Sequence, residues 1–364
     1  MAAVAIAVSF FVIIVAVAVS SGFRKTIREG VAATVGDVRI TPFLTGRAEP
    51  EPMPLHLPSE EAIRAIPAVK EVIPAVVRAG IVKNGDIVHG VVVKGIPGDR
   101  PELTVSIPTR LSEITGLGVG DDITIYFVGE KVRVRKFHIG TVHRDLLEVD
   151  DNLLVYARLE DMQRLNGWEA GEVSCLDILT RDSRTTETAA LVGNLLLGSG
   201  APEEENLYVS SSAQAYPQIF DWLKLLDFNV VVILILMTVV AGFNMVSGLL
   251  IMLLRNISTV GTLKTLGMDN RSVGRLFTRI GARAVLKGML WGNALALLFC
   301  LVQHTTHLIP LDPANYFVSW VPVHVNLWWI LLADVAAFLG ILALLWLPSL
   351  VVATIDPAKT VKAD

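Results

Sequence analysis

From Phe228 to Leu254 the chain runs for 27 residues without a charged side chain. A helix of that length and composition is long enough to cross a bilayer. Three further apolar runs accompany it: Met1 to Gly22, Leu286 to Leu308 (with Lys287 at its start), and Leu327 to Val352. At 52% hydrophobic and 18% charged over 364 residues, the chain is too apolar to be soluble throughout and too mixed to be embedded throughout. The expected fold class is an integral membrane α-helical protein with four transmembrane helices. A large extracytoplasmic α+β domain is inserted between helices 1 and 2.

Charge sets the orientation. Between the second and third runs lie Arg255, Lys264, Arg271, Arg275, Arg279, Arg283 and Lys287, against one acid, Asp269. A short basic loop between two spans marks the cytoplasmic side. Arg24, Lys25 and Arg28 after the first span run against that rule locally. Long domains translocate largely regardless of flanking charge, so the basic loop decides. The loop from about His304 to Asn326 carries Asp312 and no Lys or Arg, and Trp320, Trp328 and Trp329 sit where an outer aromatic belt belongs.

The expected organisation is a first span over 1–23, an outer domain over 24–224, and a stalk end with the second span over 225–254. A cytoplasmic loop over 255–285 holding a compact, helix-prone element, a third span over 286–308, an outer loop over 309–326, a fourth span over 327–352 and a cytoplasmic tail over 353–364 complete it. Met1 opens directly in apolar sequence without a basic leader, which reads as a chain whose start lies upstream rather than as a signal peptide. Through Asp227 there are 22 basic residues against 30 acids, a balance of −8 that argues against a nucleic-acid partner.

Within the outer domain, a strand is expected at Val38 to Ile40, then a Pro-rich loop, and a helix capped by Ser59 with Glu60 and Glu61 at its positive end. Ala79 to Gly95 reads as a hairpin turning at Asn84-Gly85. Strands are expected at Ile123 to Val128 and at Val132 to Ile139, the second with Arg133 and Arg135 on one face and valines on the other. Helices are expected at Asp161 to Trp168 and Thr185 to Leu197, with a strand at Val173 to Leu179. A last helix, about Ala213 to Asp227, is expected to run unbroken into the second span as a stalk.

Chemistry-bearing motifs are sparse. Gly116, Gly118 and Gly120 follow a helix and precede a strand, the reverse of a phosphate-cradling loop, and Asp121 and Asp122 would repel phosphate. No Walker-type loop occurs, so ATP hydrolysis is not expected of this chain. His304 and His307 have a metal-like spacing but no carboxylate or cysteine nearby, which fits interfacial histidines and no metal. Cys175 and Cys300 fall in the domain and in a span, so no pairing is expected. Asp334, seven residues into the fourth span, is an intramembrane acid of uncertain role: functional by default, or else wetted or hydrogen-bonded to a neighbouring helix. Gly288-x-x-x-Gly292 permits close helix packing. No catalytic constellation is recognisable.

The segments TVGTLKTLG after NMVSGLLIML, KGMLWGN opening the third span, LDPANYFVSWVPV in the outer loop and LPSLVVATIDPAKTVK at the end together resemble the FtsX-like permeases of ABC transporters, and within them the lipoprotein-releasing type. In the domain, GVVVKGI, GLGVGDDITIYF and QRLNGW resemble the central region of such permeases, and YPQIFDWLKLLD their stalk. Thr259 stands where the family often has an acid in the coupling loop.

The resemblance implies a permease subunit working as a dimer, homo- or heteromeric, with a separate ATPase that holds ATP and magnesium. No cofactor is expected on this chain itself. Arg255, Leu263, Lys264, Leu266, Gly267, Met268 and Arg271 would contact the ATPase. Phe10, Phe11, Phe243 and Met245 would line a lipid cavity. The substrate would be a lipoprotein taken from the outer leaflet of a bacterial inner membrane and passed to a periplasmic carrier. The alternatives are a mechanotransmission or efflux permease of the macrolide-exporter type, a divisome-type signalling permease, and a membrane-anchored enzyme.

Overall fold

The computed structural model describes residues 2–43, 49–129, 131–144, 153–181, 184–312 and 316–345. The chain divides into two units: one of membrane-type helices (residues 1–25, 222–311 and from 320 on), and one large domain (residues 26–221 with 312–319).

Among the described residues, four helices are long and apolar enough to cross a membrane. Helix α1 covers Ala2–Val35 and does not stop at Gly22, because no proline interrupts Phe23 to Val35 and the single Gly30 is tolerated. The turn comes at Gly36, with a φ of 69°. At the C-terminal side of the large domain, a one-turn helix and the long helix that follows it, Pro217–Arg255, are separated at Tyr216 (φ −128°, ψ 62°). The expected unbroken stalk therefore starts only at Pro217, where proline suits a first helical turn. A short helix then covers Ile257–Thr265, and a longer one Asn270–Thr306. Residues 270–285, expected as loop, thus already belong to the helix of the third span. The last described helix is Leu327–Leu344. The remainder of the expected fourth span and the tail lie outside the described residues.

Inside this unit, α1 contributes Ile6, Phe10, Ile13 and Ile14 to an apolar cluster with Ala241, Met245, Val285 and Ala337. Gly292 shows why a small residue is needed there. A Cβ at that position would meet the carbonyl oxygen of Ala7 at 2.5 Å and Cβ of Phe10 at 2.8 Å. The second glycine of the G-x-x-x-G pattern is where α1 comes closest, as small residues allow.

Among the described residues, the large domain is built from eleven strands and short helices. In chain order they are β1 (Val38–Pro42), β2 (Met53–Pro54), α2 (Glu60–Arg64), β3 (Val69–Asn84), β4 (Ile87–Ile96), β5 (Thr104–Pro108) and α3 (Thr109–Thr115). Then follow β6 (Asp122–Phe127), β7 (Arg133–His143), β8 (Leu153–Arg158), α4 (Leu159–Asn166), β9 (Glu172–Val173), β10 (Cys175–Thr180), α5 (Thr185–Ser199), β11 (Leu207–Ser211) and α6 (Ser212–Ala215). The helices α7 (Pro217–Arg255), α8 (Ile257–Thr265), α9 (Asn270–Thr306) and α10 (Leu327–Leu344) follow.

The main sheet runs β11-β1-β10-β3-β4-β8-β5-β7-β6, and β6 pairs back onto β3. That last pairing, Gly80 with Phe127 and Val82 with Ile125, closes β3, β4, β8, β5, β7 and β6 into a six-stranded barrel. Closure removes the free edges that would otherwise template aggregation. Val91, Val93, Val105, Ile123, Ile125 and Val155 fill the apolar core, and Phe127 meets Phe137 edge-to-face at 6.4 Å. Each such fully buried side chain stabilises by about 1.5–3 kcal/mol before entropy is counted. The N-terminal half of β3 instead continues through β10 and β1 to β11, against which α5 packs. The same strand therefore serves both halves of the domain.

Three local expectations are corrected. Ser59 does not cap α2: its backbone N–H and hydroxyl both donate to Glu204 Oε1, at 2.9 and 2.7 Å. On β7 the buried face is Phe137 and Ile139, while Val134 is 49% exposed, so the valines do not mark the core side. The hairpin of β3 and β4 forms with Asn84 paired to Ile87, which makes Gly85 and Asp86 its two turn residues. Strands β5, β8 and β11 carry no strong period-2 signal, and sequence reasoning passed over them.

Candidate functional site

The segment after α7 is held by local chemistry. Asn256 breaks the helix while its side-chain amide donates to the Met252 carbonyl at 2.8 Å. Helix α8 then turns one apolar side inward: Val260 is buried in a small cluster with Leu253 and Val273, and Met268 packs against it. The far end is closed by Gly267, whose φ of 94° is a conformation side chains resist. Met268 N–H donates to the Leu263 carbonyl at 3.0 Å, and Asp269 Oδ1 accepts from Ser272 N–H at 3.3 Å to cap α9. That cap, made first by the Ser272 hydrogen bond, holds the Asp269 carboxyl below its ordinary value.

The opposite side of this element faces outward. Leu266 is 80% exposed, which is unusual for leucine and leaves an apolar knob at the end of α8. Arg255 is exposed and Leu263 half-buried. Met268, also expected to contact the ATPase, is half-buried and packs against the cluster of Leu253, Val260 and Val273. The side chains of Lys264 and Arg271 lie outside the described residues.

The four expected cavity residues separate. Phe10 and Met245 are buried in the chain's own helix cluster. Phe11 is half-buried and meets Phe299 edge-to-face at 5.9 Å, while Phe243 is 58% exposed. Asp334 is buried on α10, with Oδ2 accepting from Asn293 Nδ2 of α9 at 2.6 Å. The partner residue was absent from the sequence reading because Asn293 is neutral and 41 positions away.

Other motifs take their dull roles. Gly118 N–H donates to Asp121 Oδ2 at 2.8 Å, closing a turn. His307 ends α9 and meets Trp320 edge-on with ring centroids 4.7 Å apart. Among the described residues no group of three His, Cys, Asp or Glu side chains could hold a metal. Cys175 and Cys300 are free and buried, and burial pushes the Cys175 thiol up to about 11.

A second arrangement escaped the sequence reading. Where α1 ends inside the large domain, three cationic side chains converge on two carboxylates. Arg39 donates to Asp177 through Nε at 2.6 Å and Nη2 at 2.9 Å, and Nη2 also donates to the Thr34 carbonyl at 2.8 Å. Lys94 Nζ lies 2.7 Å from Asp177 and donates to the carbonyls of Ala33 and Thr34 at 2.8 and 3.2 Å. Arg28 pairs with Asp37 at 3.0 Å, and Asp37 Oδ2 accepts from Thr180 N–H at 2.7 Å.

Cations at a helix C-terminus satisfy its last carbonyls and its dipole. Burial alone would raise the Asp177 carboxyl, but Arg39 and Lys94 outweigh it and hold the group below its ordinary value. Lys94, Arg39 and Asp177 come from three different strands, so their spacing in sequence gave no signal.

Residues 231–357 match the family described as FtsX-like permease C-terminal. The chain is 23% identical to the lipoprotein-releasing system transmembrane protein LolE of Haemophilus influenzae, over 99% of this chain and 93% of that protein. It is 24% identical to the corresponding LolC of Xylella fastidiosa, over 87% of this chain and 82% of that one. Among solved structures, the periplasmic region of MacB from Actinobacillus actinomycetemcomitans aligns at 13% identity with a TM-score of 0.32, over 52% of this chain and 95% of that one. Residues 231–357 thus match the FtsX-like permease C-terminal family, and the chain is similar over nearly its whole length to lipoprotein-releasing system transmembrane proteins.

Proposed function

We propose that this permease uses ATP hydrolysed on a separate ATPase subunit to extract lipoproteins from the outer leaflet of the inner membrane and hand them to a periplasmic carrier. The observation that carries the reading is the similarity to lipoprotein-releasing proteins along almost the entire chain, domain and helices together. In this reading two permease copies, identical or paralogous, pair in the membrane, and ATP and magnesium sit on the ATPase. The large domain lies in the periplasm.

The coupling element is α8 with its exposed Leu266, flanked by Arg255 and Lys264, seated in the ATPase. Val260 anchors it from behind, so a push on the knob is passed to α7 and α9 rather than absorbed by a loose loop. Extraction is costly, about 0.8 kcal/mol for each CH₂ withdrawn from lipid, which is why such a step needs ATP.

The test is reconstitution with the cognate ATPase in liposomes holding a triacylated lipoprotein, following ATP-dependent appearance of that lipoprotein on a soluble carrier. Release in the wild type that vanishes in Leu266→Asp, with the variant still folded in the membrane, is the expected result. ATP hydrolysis without any release would overturn the substrate and leave an ABC permease acting on another cargo.

A further inference from the structure

Helix α9 contains no Asp or Glu, and Arg275, Arg279, Arg283 and Lys287 follow one another along it at every fourth position. All four side chains are exposed. Each step of four residues turns the row by only about 40° and advances it about 6 Å, so the row stays within about 120° of the helix surface. Arg275 is partly engaged: its Nη2 donates to Ser272 Oγ at 3.1 Å, and its charge helps hold Asp269 ionised. The side chains of Arg279, Arg283 and Lys287 make no hydrogen bond and no ion pair among the described residues. Like charges four apart on a helix repel, so this ridge calls for negative charge that its own helix does not supply.

The same face continues into apolar surface. Leu286 and Leu290 fall within the same sector of about 120°, and Leu297 and Leu301 extend it along the helix. All four leucines are exposed, Leu290 by 66% and Leu301 by 60%. The opposite side of α9 carries Val285, Gly288, Gly292 and Ala296, which are buried against the other helices. Because α9 is long and apolar enough to cross a membrane, its outward leucines face lipid and the cations stand where that surface ends. Lys287 lies at the boundary, where a long stem can follow the leucines while the ammonium stays at the polar level.

Read along the face, leucines and then cations are the order of acyl chain and then phosphate in one leaflet. An acidic protein surface would answer the charges but not the leucines that continue from them without a step. A zwitterionic headgroup would bring its own cation against three others, whereas a net-negative phosphodiester would not.

We propose that Arg279, Arg283 and Lys287 form a binding site for an anionic phospholipid of the leaflet on the side of the basic loop. Its phosphate oxygens accept from the two guanidinium groups and the ammonium, and its acyl chains lie along Leu286 and Leu290. The site stands on the geometry of α9 and does not depend on what cargo is moved.

The experiment uses the full chain in nanodiscs of equal parts phosphatidylglycerol and phosphatidylcholine, with native mass spectrometry to count the lipids that stay bound. The expected result is phosphatidylglycerol retained about fivefold or more over phosphatidylcholine, the order one cation gives at a charged membrane surface. That preference is expected to disappear when Arg279→Gln, Arg283→Gln and Lys287→Gln are combined, with the unfolding midpoint unchanged. A second triple variant removes as many exposed cations from the large domain, Lys70→Gln, Lys83→Gln and Arg135→Gln, and is expected to keep the preference. Arg279→Lys with Arg283→Lys, which preserves the charge, is expected to keep it too.

Equal retention of the two lipids by the wild type would overturn the site, as would a preference that survives the first triple variant or falls equally in the second. A first triple variant that keeps its lipids but no longer binds the cognate ATPase would also overturn it and assign the face to that subunit. None of these outcomes bears on lipoprotein release, which Leu266→Asp tests separately.

Discussion

Arg39 and Asp177 face each other across neighbouring strands, Arg39 paired with Asp177 in the β1–β10 ladder, and their side chains join by two hydrogen bonds of 2.6 and 2.9 Å. The pair sits directly beneath the last carbonyls of α1, so a contact within a sheet also fixes where a helix ends. Replacing Asp177 by Asn leaves Arg39 and Lys94 buried without their counter-charge. The expected loss is about 3–5 kcal/mol, the range for breaking one side of a buried pair, read as a drop in the thermal unfolding midpoint of the full chain.

The same carboxylate gives a pH dependence. Its native pKa is depressed below the unfolded value of about 4, so its stabilisation is complete above that value. It is lost as the pH falls through the native value. Unfolding midpoints measured from pH 6 down to pH 3 should fall more steeply in the wild type than in Asp177→Asn. Parallel curves would contradict this.

Gly292 allows α1 and α9 to touch. Changing it to Val puts side-chain atoms where the Ala7 carbonyl and Phe10 already are. Overpacking of this kind costs about 1–3 kcal/mol. The variant should show a lower unfolding midpoint in detergent, while Gly193→Val, at a glycine with open space around its Cβ position, should show a smaller change.

Asp334 and Asn293 form one hydrogen bond between two membrane helices. Double-mutant cycles on such contacts give about 0.6 kcal/mol on average and up to about 1.7. A cycle built from Asn293→Ala and Asp334→Ala should return a coupling in that range. Asp334→Asn, which preserves shape, should keep ATP-driven activity; its loss would mean that the carboxyl itself is used.

Val260 holds α8 in place from its inner side. Val260→Ala should raise amide hydrogen exchange over residues 257–266 by removing about 1–3 kcal/mol of apolar burial. The large domain should exchange as before.

What the sequence revealed follows from the range of each interaction. Uncharged runs and a basic cluster are local signals, and they located all four apolar helices and the isolated α8. Helix ends were less legible, because a continuous helix such as α1 does not stop where its hydrophobicity does: Arg24, Lys25 and Arg28 are good helix formers.

The barrel was missed for a different reason. Its closure depends on Gly80 meeting Phe127, a pairing between distant segments that no local period encodes. The exposed Leu266 was visible as one of several leucines. That it, rather than Met268, projects outward depends on the left-handed turn at Gly267.

The double membership of β3 has a consequence for how the domain can move. One sixteen-residue strand is the spar of both the barrel and the flanking sheet, so there is no seam along which the two can swing apart without breaking backbone hydrogen bonds. A displacement that enters β3 at its β10-paired end runs along one continuous strand to the turn at Gly85. Chimaeras made by exchanging only the barrel would have to cut that strand in its middle; those that exchange residues 38–211 whole would not.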